Sequence, residues 1–429
     1  MSKQTDINGR SIKKLTYFDY IKITVLGFAL TALWSSLHSV ILPIRLLVYV
    51  PASDKNTYLG LLTFTGLILA MIIQPIAGAF SDHTISSYGR RRPYILVGSL
   101  LALIFLSGIG LANSYIGIFI VYCMLQISCN TAQASYQAFI PDLIPQNKRG
   151  LSSGVKSFME TMGGVLLVLL TAHLMGHYLG GEKGFWLWIA LGALMAVLLI
   201  AMIITLLTVK DKPGTMIFHS SPLTLYKIFR IDLKVHRDFS WFLVSRLLLV
   251  IPGAILQIFA LYYLMDVVGI ANPAAVTGNL LVVIGICLLV TAYPAGRLSD
   301  RIGRKPILIY SGLLGAVGIL SLLFSRNYTE IICSGAILGI ANGALASSSW
   351  ALATDLAPKG EEAKYLGVTN IATAGGSALA RLLGGPVIDS FNKISLGLGY
   401  RVMLLVCLIS LVVGALLVVK IKCYKPLRS

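Results

Sequence analysis

Apolar residues are gathered along this chain into twelve long runs, separated by short polar stretches. The runs occupy about 19–43, 57–80, 93–112, 115–139, 151–174, 184–208, 239–264, 274–295, 306–324, 328–352, 365–388 and 399–420. A helix needs about 20 apolar residues to cross a bilayer, and each run supplies close to that number. A backbone in lipid must satisfy its own polar groups, so each run is expected to be a helix. The fold class that follows is an all-α membrane protein of twelve transmembrane helices. The longest polar segment, 209–238, falls between the sixth and seventh runs. It divides the chain into an N-terminal six-helix bundle (1–208), a basic linker (209–238) and a C-terminal six-helix bundle (239–429).

Composition narrows the classes. Of 429 residues, 56% are hydrophobic and only 12% charged, against roughly 25% charged in soluble domains. That excludes a soluble enzyme, a nucleic-acid-binding domain and a disordered chain. The net charge of +18 then needs a membrane explanation. Alternate loops and the two tails carry twenty-five Lys and Arg, whereas the intervening loops carry five: Arg45, Lys55, Lys183, Arg326 and Lys393. The positive-inside rule places the rich side, and both termini, in the cytoplasm. Lys3, Arg10, Lys13 and Lys14 precede the first run, which shows no clear cleavage site and is expected to be a retained span. The six cysteines are scattered with no metal-ligand spacing, so neither a metal nor a cofactor is expected.

Two features repeat about 215 residues apart. Gly78-Ala-Phe-Ser-Asp82 precedes Gly89-Arg90-Arg91-Arg92-Pro93, and Gly296-Arg-Leu-Ser-Asp300 precedes Arg301-Ile-Gly303-Arg304-Lys305-Pro306. Asp142-Leu-Ile-Pro follows the fourth run and Asp355-Leu-Ala-Pro the tenth. The glycines let helix ends approach. The aspartates sit at helix ends, where they can accept hydrogen bonds from a neighbouring helix start and pair with loop arginines. Such contacts make a latch if they form in one conformation and break in another. The alternative is a static cluster of positive charge that only sets topology.

The repeated Gly-x-x-Ser-Asp…Gly-Arg-Lys/Arg pattern resembles the loop signature of the major facilitator superfamily. The longer first copy, through Ser86 to Gly89-Arg90-Arg91-Arg92-Pro93-Tyr94-Ile95, is similar to that of sucrose transporters. It resembles more loosely the glycoside–pentoside–hexuronide symporters. In the fourth run, Leu125-Gln126…Asn130…Gln133…Ala138…Asp142-Leu143 is similar without a gap to the sucrose-transporter string, which has an aspartate where Gln126 stands. The resemblance implies two pseudo-symmetric halves, alternating access, and a latch that shuts the cytoplasmic gate in the outward-facing state. Gln126 puts proton coupling through this position in doubt.

Charges inside the runs are costly in hydrocarbon and mark cavities or pairs. Glu160 lies about 15 Å into the fifth run, one helical turn from Lys156. The pair is either a structural salt bridge or a protonatable coupling site. Arg246 and Arg381 are placed to bind solute hydroxyls, to pair with Glu160, or to snorkel outward. Gln126, Asn130, Gln133 and Gln137 share one helical stripe, which reads as a solute-facing wall or as interhelical hydrogen bonding. Trp34, Gln74 and Gln257 add polar positions. His38 is expected near the outer end of the first span, as an interfacial donor.

The expected function is a secondary active transporter for a small polar solute, a sugar or glycoside, coupled to a cation, H+. The alternatives are a drug or metabolite exporter of the same architecture and a transport-inactive receptor. No constellation for an enzyme is evident. The expected partners are the small-molecule solute, the cation and the lipid bilayer of the plasma membrane, without nucleic acid, in a protein functional as a monomer.

Overall fold

The computed structural model describes residues 16–145, 148–179, 183–209, 211, 237–358 and 361–422. Most of the basic linker and both tails lie outside the described residues. Among the described residues, twelve helices are long and apolar enough to span a membrane: α1 (Phe18–Leu46), α2 (Lys55–His83), α3 (Arg92–Leu111), α4 (Tyr115–Leu143), α5 (Arg149–Tyr178), α6 (Gly184–Thr208), α7 (Arg237–Val268), α8 (Pro273–Ile302), α9 (Arg304–Phe324), α10 (Tyr328–Leu356), α11 (Tyr365–Asn392) and α12 (Leu398–Val419).

Several helices outrun the apolar runs that announce them. Near its far end α1 widens into a π-helical turn, Leu37–Ile41, just before Pro43. A proline ring clashes with the carbonyl four residues earlier and offers no N–H, and the wider turn accommodates both defects. A second π turn, Leu264–Val268, closes α7 and is stopped by Gly269 at φ 70°. Two cations expected in solvated loops are therefore inside helices. Arg45 is buried and donates to the carbonyls of Ile109, Gly110 and Ala112 at the end of α3. Lys55 opens α2 and is also buried.

The first helix of each chain half is the most enclosed. α1 packs along α5, and α7 along α11. Both crossings depend on a glycine: a Cβ on Gly163 would fall 2.3 Å from the carbonyl oxygen of Phe28, and one on Gly376 2.4 Å from that of Leu247. Elsewhere α2 meets α4, α8 meets α10, and α9 lies against α10 and α12. Two large contacts join the first six helices to the last six, α2 with α11 and α5 with α8, and smaller ones set α7 against the end of α1 and α2, and α8 against α1. The end that carries Arg90, Arg91, Arg92 and Arg304 is the basic end below; the opposite one is the sparse end.

Candidate functional site

A chain of short hydrogen bonds crosses the interior of the first six helices. Gln74 Nε2 on α2 donates to Asn130 Oδ1 at 2.7 Å, and Asn130 Nδ2 donates to Gln126 Oε1 at 2.9 Å. Gln126 Nε2 donates to the Tyr122 hydroxyl at 2.7 Å, which lies 2.8 Å from His38 Nε2 on α1. Trp34 stacks on the His38 ring with centroids 5.3 Å apart and meets Tyr122 edge-on. Tyr122, Gln126, Asn130 and His38 are all buried. His38 is thus a member of a buried network, not an interfacial donor: the π turn carries α1 on past it to Leu46. The amide stripe of α4 is divided. Gln126 and Asn130 belong to the chain, Gln133 is half-buried, and Gln137 is exposed. Pro141 explains the split, because its ring opposes the Gln137 carbonyl and the regular helix stops at Gln137.

The intramembrane charges separate into three places. Glu160 and Lys156 lie 3.7 Å apart on α5, each about a quarter exposed. Tyr136 stands beside them, its hydroxyl and the carboxylate filling the space left by Gly27 on α1. Arg246 on α7 does not reach Glu160. Its Nε donates to Thr373 Oγ1 at 2.8 Å, its Nη1 donates to Ser349, and the guanidinium lies 4.8 Å over the Trp350 ring. Arg381 on α11 is buried and does not snorkel. Its Nη1 donates to the Thr63 carbonyl on α2 at 3.2 Å, and its Nε has no partner. It stands within electrostatic reach of His38 and Tyr122. Gln257 is half-buried.

The loop motifs converge within each set of six helices. Arg91 is buried and binds Asp82, Ser81 and Asp142, while Arg90 binds Asp142 at 2.7 Å. Arg92 donates to the Leu206 carbonyl. In the second copy Arg304 serves both acids, Asp355 at 3.0 Å and Asp300 at 3.7 Å. Gly89 and Gly303 turn the chain with the same φ, 102°, where a side chain would strain the backbone. Arg301 is exposed at the end of α8. The glycines expected to bring helix ends together do not do so here. A Cβ on Gly78 would meet nothing within 4 Å, and one on Gly296 only Ser347 at 3.9 Å. Among the described residues, no ion pair of the basic end joins the first six helices to the last six.

The sparse end is sealed instead. Asp389 on α11 is buried and accepts from Asn56 Nδ2 (2.8 Å), Thr57 N (2.7 Å) and Thr57 Oγ1 (2.6 Å) at the start of α2. Lys55 Nζ reaches Asp266 at 2.7 Å, and Tyr400 donates to the other oxygen of that carboxylate at 2.7 Å. Tyr262 donates to the Pro43 carbonyl at 2.7 Å. Outside the spans, Lys393 binds Asp54 at 2.7 Å. That contact holds the Asp54 carboxyl below its usual range and the Lys393 ammonium above its own. Below this seal, Gly60 of α2 lies against the Arg381 carbonyl and Gly385 of α11 against that of Asn56, both too close for a Cβ. A recess of about 700 Å³ at the same end, between α7, α9 and α12, has Arg326 and Arg401 in its wall and none of the candidate solute, coupling or loop-motif residues.

Twelve spanning helices with a doubled loop signature are the frame of one superfamily, and residues 27–419 match the family described as MFS/sugar transport protein. The chain belongs to this family. The protein is therefore a multi-pass membrane transporter of the major facilitator superfamily, a family and fold of transporters and not of enzymes. Its relatives differ in what they carry. It is 35% identical over 98 residues to the minor myo-inositol transporter IolF of Bacillus subtilis (strain 168), a match spanning 23% of this chain and 22% of that protein. It is 26% identical over 329 residues to the multidrug resistance protein MdtG of Klebsiella pneumoniae (strain 342), spanning 76% of each. Its fold is similar to the crystal structure of a D-xylose–proton symporter, with a TM-score of 0.73, 17% identity, and coverage of 95% of this chain and 98% of that one.

For a facilitator of this kind, the sequence left the acids of the sparse end unmarked. Asp266 and Asp389 fall one or two residues beyond the apolar runs and read as loop positions. The signal that could have found them is the polar start of α2, Asp54-Lys55-Asn56-Thr57, which offers more donors and charges than a solvated loop requires.

Proposed function

We propose that this facilitator moves a small polar solute, a sugar or glycoside, by alternating access and in symport with H+. The observation that carries this reading is the neutral hydrogen-bond chain Gln74–Asn130–Gln126–Tyr122–His38. Amides and hydroxyls both donate and accept, so solute hydroxyls can replace links of the chain without stranding a buried charge. Gln126, Asn130, Gln133, Trp34, Arg246 and Arg381 are taken as solute contacts. The basic end is taken as cytoplasmic, with both termini there, in a plasma membrane. On that orientation the sealed sparse end, with no ion pair across the basic end among the described residues, corresponds to an inward-facing state. The bundles 1–208 and 239–429 rock about the α2–α11 and α5–α8 contacts, tethered by 209–238, and a single chain suffices.

Glu160 is the proposed proton site. Desolvation and the approach of Lys156 act on its protonation in opposite directions, so a conformational change that moves either one links proton occupancy to solute access. The test is uptake into proteoliposomes of labelled sugars, with and without a pH gradient. Accumulation driven by the gradient is expected, and Glu160→Gln should abolish it while solute exchange persists. Absence of uptake of every sugar by folded wild-type protein overturns the proposal, and gradient-driven accumulation by Glu160→Gln removes Glu160 from it. The likeness to MdtG favours a second reading, an exporter. Efflux of amphipathic dyes in place of sugar uptake would select it.

A further inference from the structure

The sparse end holds two arginines whose charge no neighbouring acid meets among the described residues. Arg45 is held there by the carbonyls at the end of α3, Lys55 by Asp266 and Lys393 by Asp54. Arg326, two residues past the end of α9, and Arg401, in the first turn of α12, have no carboxylate within 4 Å of the guanidinium. The acids close by are spent elsewhere. Glu330 accepts from the backbone N–H of Arg326 and from Asn327 Nδ2, and Asp266 from Lys55 and Tyr400. Cations are few at this end, as the charge alternation requires, yet these two line one recess of about 700 Å³ between α7, α9 and α12. That volume lies within the ~300–1,000 Å³ of small-ligand sites. The helix start of α12 at Leu398 is in the same wall, has no acid in its first turn, and adds its positive end to the field.

The recess also belongs to the lipid-facing surface. Apart from the arginines and Ser325, its wall is apolar. Phe324 ends a row on α9 with Val317 and Leu320, and Leu405 begins a row on α12 with Ile409 and Val413, every member exposed. Exposed apolar rows at three- and four-residue spacing on spanning helices are the faces a bilayer covers. Leu405 is one turn, about 6 Å, below Arg401. The recess therefore carries positive charge at its outer level and opens onto hydrocarbon-facing rows beneath.

We propose that this recess is a binding site for an anionic phospholipid, with the phosphate between Arg326 and Arg401 and an acyl chain over Phe324 and Leu405. A guanidinium can bind a phosphate through two parallel N–H bonds. The recess wall has no carboxylate to meet a choline or ammonium group, which favours a headgroup of net negative charge. A soluble phosphate would leave the apolar wall uncovered, whereas an acyl chain gains by burial there. The site stands apart from the solute path and does not depend on what is carried.

The test reconstitutes the full chain in phosphatidylcholine vesicles containing a photoactivatable phospholipid, with its diazirine on the acyl chain and either a phosphatidylglycerol or a phosphatidylcholine headgroup. Labelled positions are mapped by peptide mass spectrometry. The glycerol probe is expected to label segments 323–326 and 398–405 about tenfold more than the choline probe, and high salt should narrow the difference. Arg326→Gln combined with Arg401→Gln should bring the two probes level at these segments and leave labelling of the basic end unchanged, which also reports that the variant is folded and inserted. Equal labelling by the two probes in the wild type, or none at the recess, overturns the proposal whether or not the variant folds. A preference that survives in the folded double variant overturns the assignment to the two arginines. Loss of recess labelling on adding inorganic phosphate, with the basic end still labelled, would give the recess to a soluble anion and overturn the lipid.

Discussion

At the scale of single residues, the two loop-signature acids are not equivalent. Asp142 is about one-fifth exposed and binds both Arg90 and Arg91, whereas Asp82 is half exposed and binds Arg91 alone. Charge-assisted bonds are stronger where water is excluded. Asp142→Asn should therefore lower the transport rate more than Asp82→Asn, with both proteins inserted and folded. Equal rates in reconstituted uptake would show that the Asp142 pairings do not gate. Much of this site was legible in the sequence, because Asp82, Asp142, Asp300 and Asp355 recur in order. Which arginine answers them was not. Arg304 follows its glycine directly and takes both acids, but in the first copy it is Arg91, one residue further on, that takes both, with Arg90 sharing Asp142, a choice made by side-chain geometry. The amide stripe was legible as a periodicity only. Its break at Gln137 follows from Pro141, which a pure helical projection ignores.

Elements were read well in number and type, and less well in length. Hydropathy reports where lipid is tolerated, and polar helix ends buried against another helix fall outside that signal. Asp266 in the π turn of α7 and Asp389 near the end of α11 were missed for this reason. Asp389 supplies α2 with acceptors that its own N-terminal turn lacks, since Asp54 at the cap position makes no side-chain bond to the helix. Asp389→Asn replaces one acceptor oxygen with a donor facing other donors. That should weaken the sealed sparse end by about 2 kcal/mol, roughly a 30-fold change in its ratio to the open form. Spin labels at Ala52→Cys and Ser395→Cys should report a longer, broader distance distribution in that variant. An unchanged distribution would show that the bond does not hold the end closed.

For the whole molecule, the charge alternation and the repeat made the architecture legible. The conformation was not, because a doubled chain carries similar motifs for both halves and the state depends on small differences between two seals. The Asp54–Lys393 pair gives that balance a pH signature. Asp54 is held below its ordinary value, so its contribution is present above about pH 4 and is lost as the pH falls through the lowered value. Lys393 is held above its ordinary value, so its contribution is present below about pH 10 and is lost as the pH rises through the raised value. The part of the sparse-end label distance that this pair sets, read as the difference between wild type and Lys393→Gln, should stay constant from about pH 5 to 9 and change only at the extremes. The part due to this exposed pair should shrink in high salt and vanish in Lys393→Gln. A transition near neutrality that Lys393→Gln removes would contradict this assignment.

The start of α2 holds a further consequence. In the sealed form Asp54 faces away toward Lys393, and α2 relies on a carboxylate that α11 provides. When the two helices part, that carboxylate leaves with α11, and the amides of Asn56 and Thr57 lose their acceptor. Asp54, released from Lys393 by the same movement, is the residue already seated where a helix start is capped. Breaking one ion pair from its two sides is then not one experiment but two. Lys393→Gln sets Asp54 free to serve α2, while Asp54→Ala deprives the sealed form of one of its fastenings and the parted form of its cap.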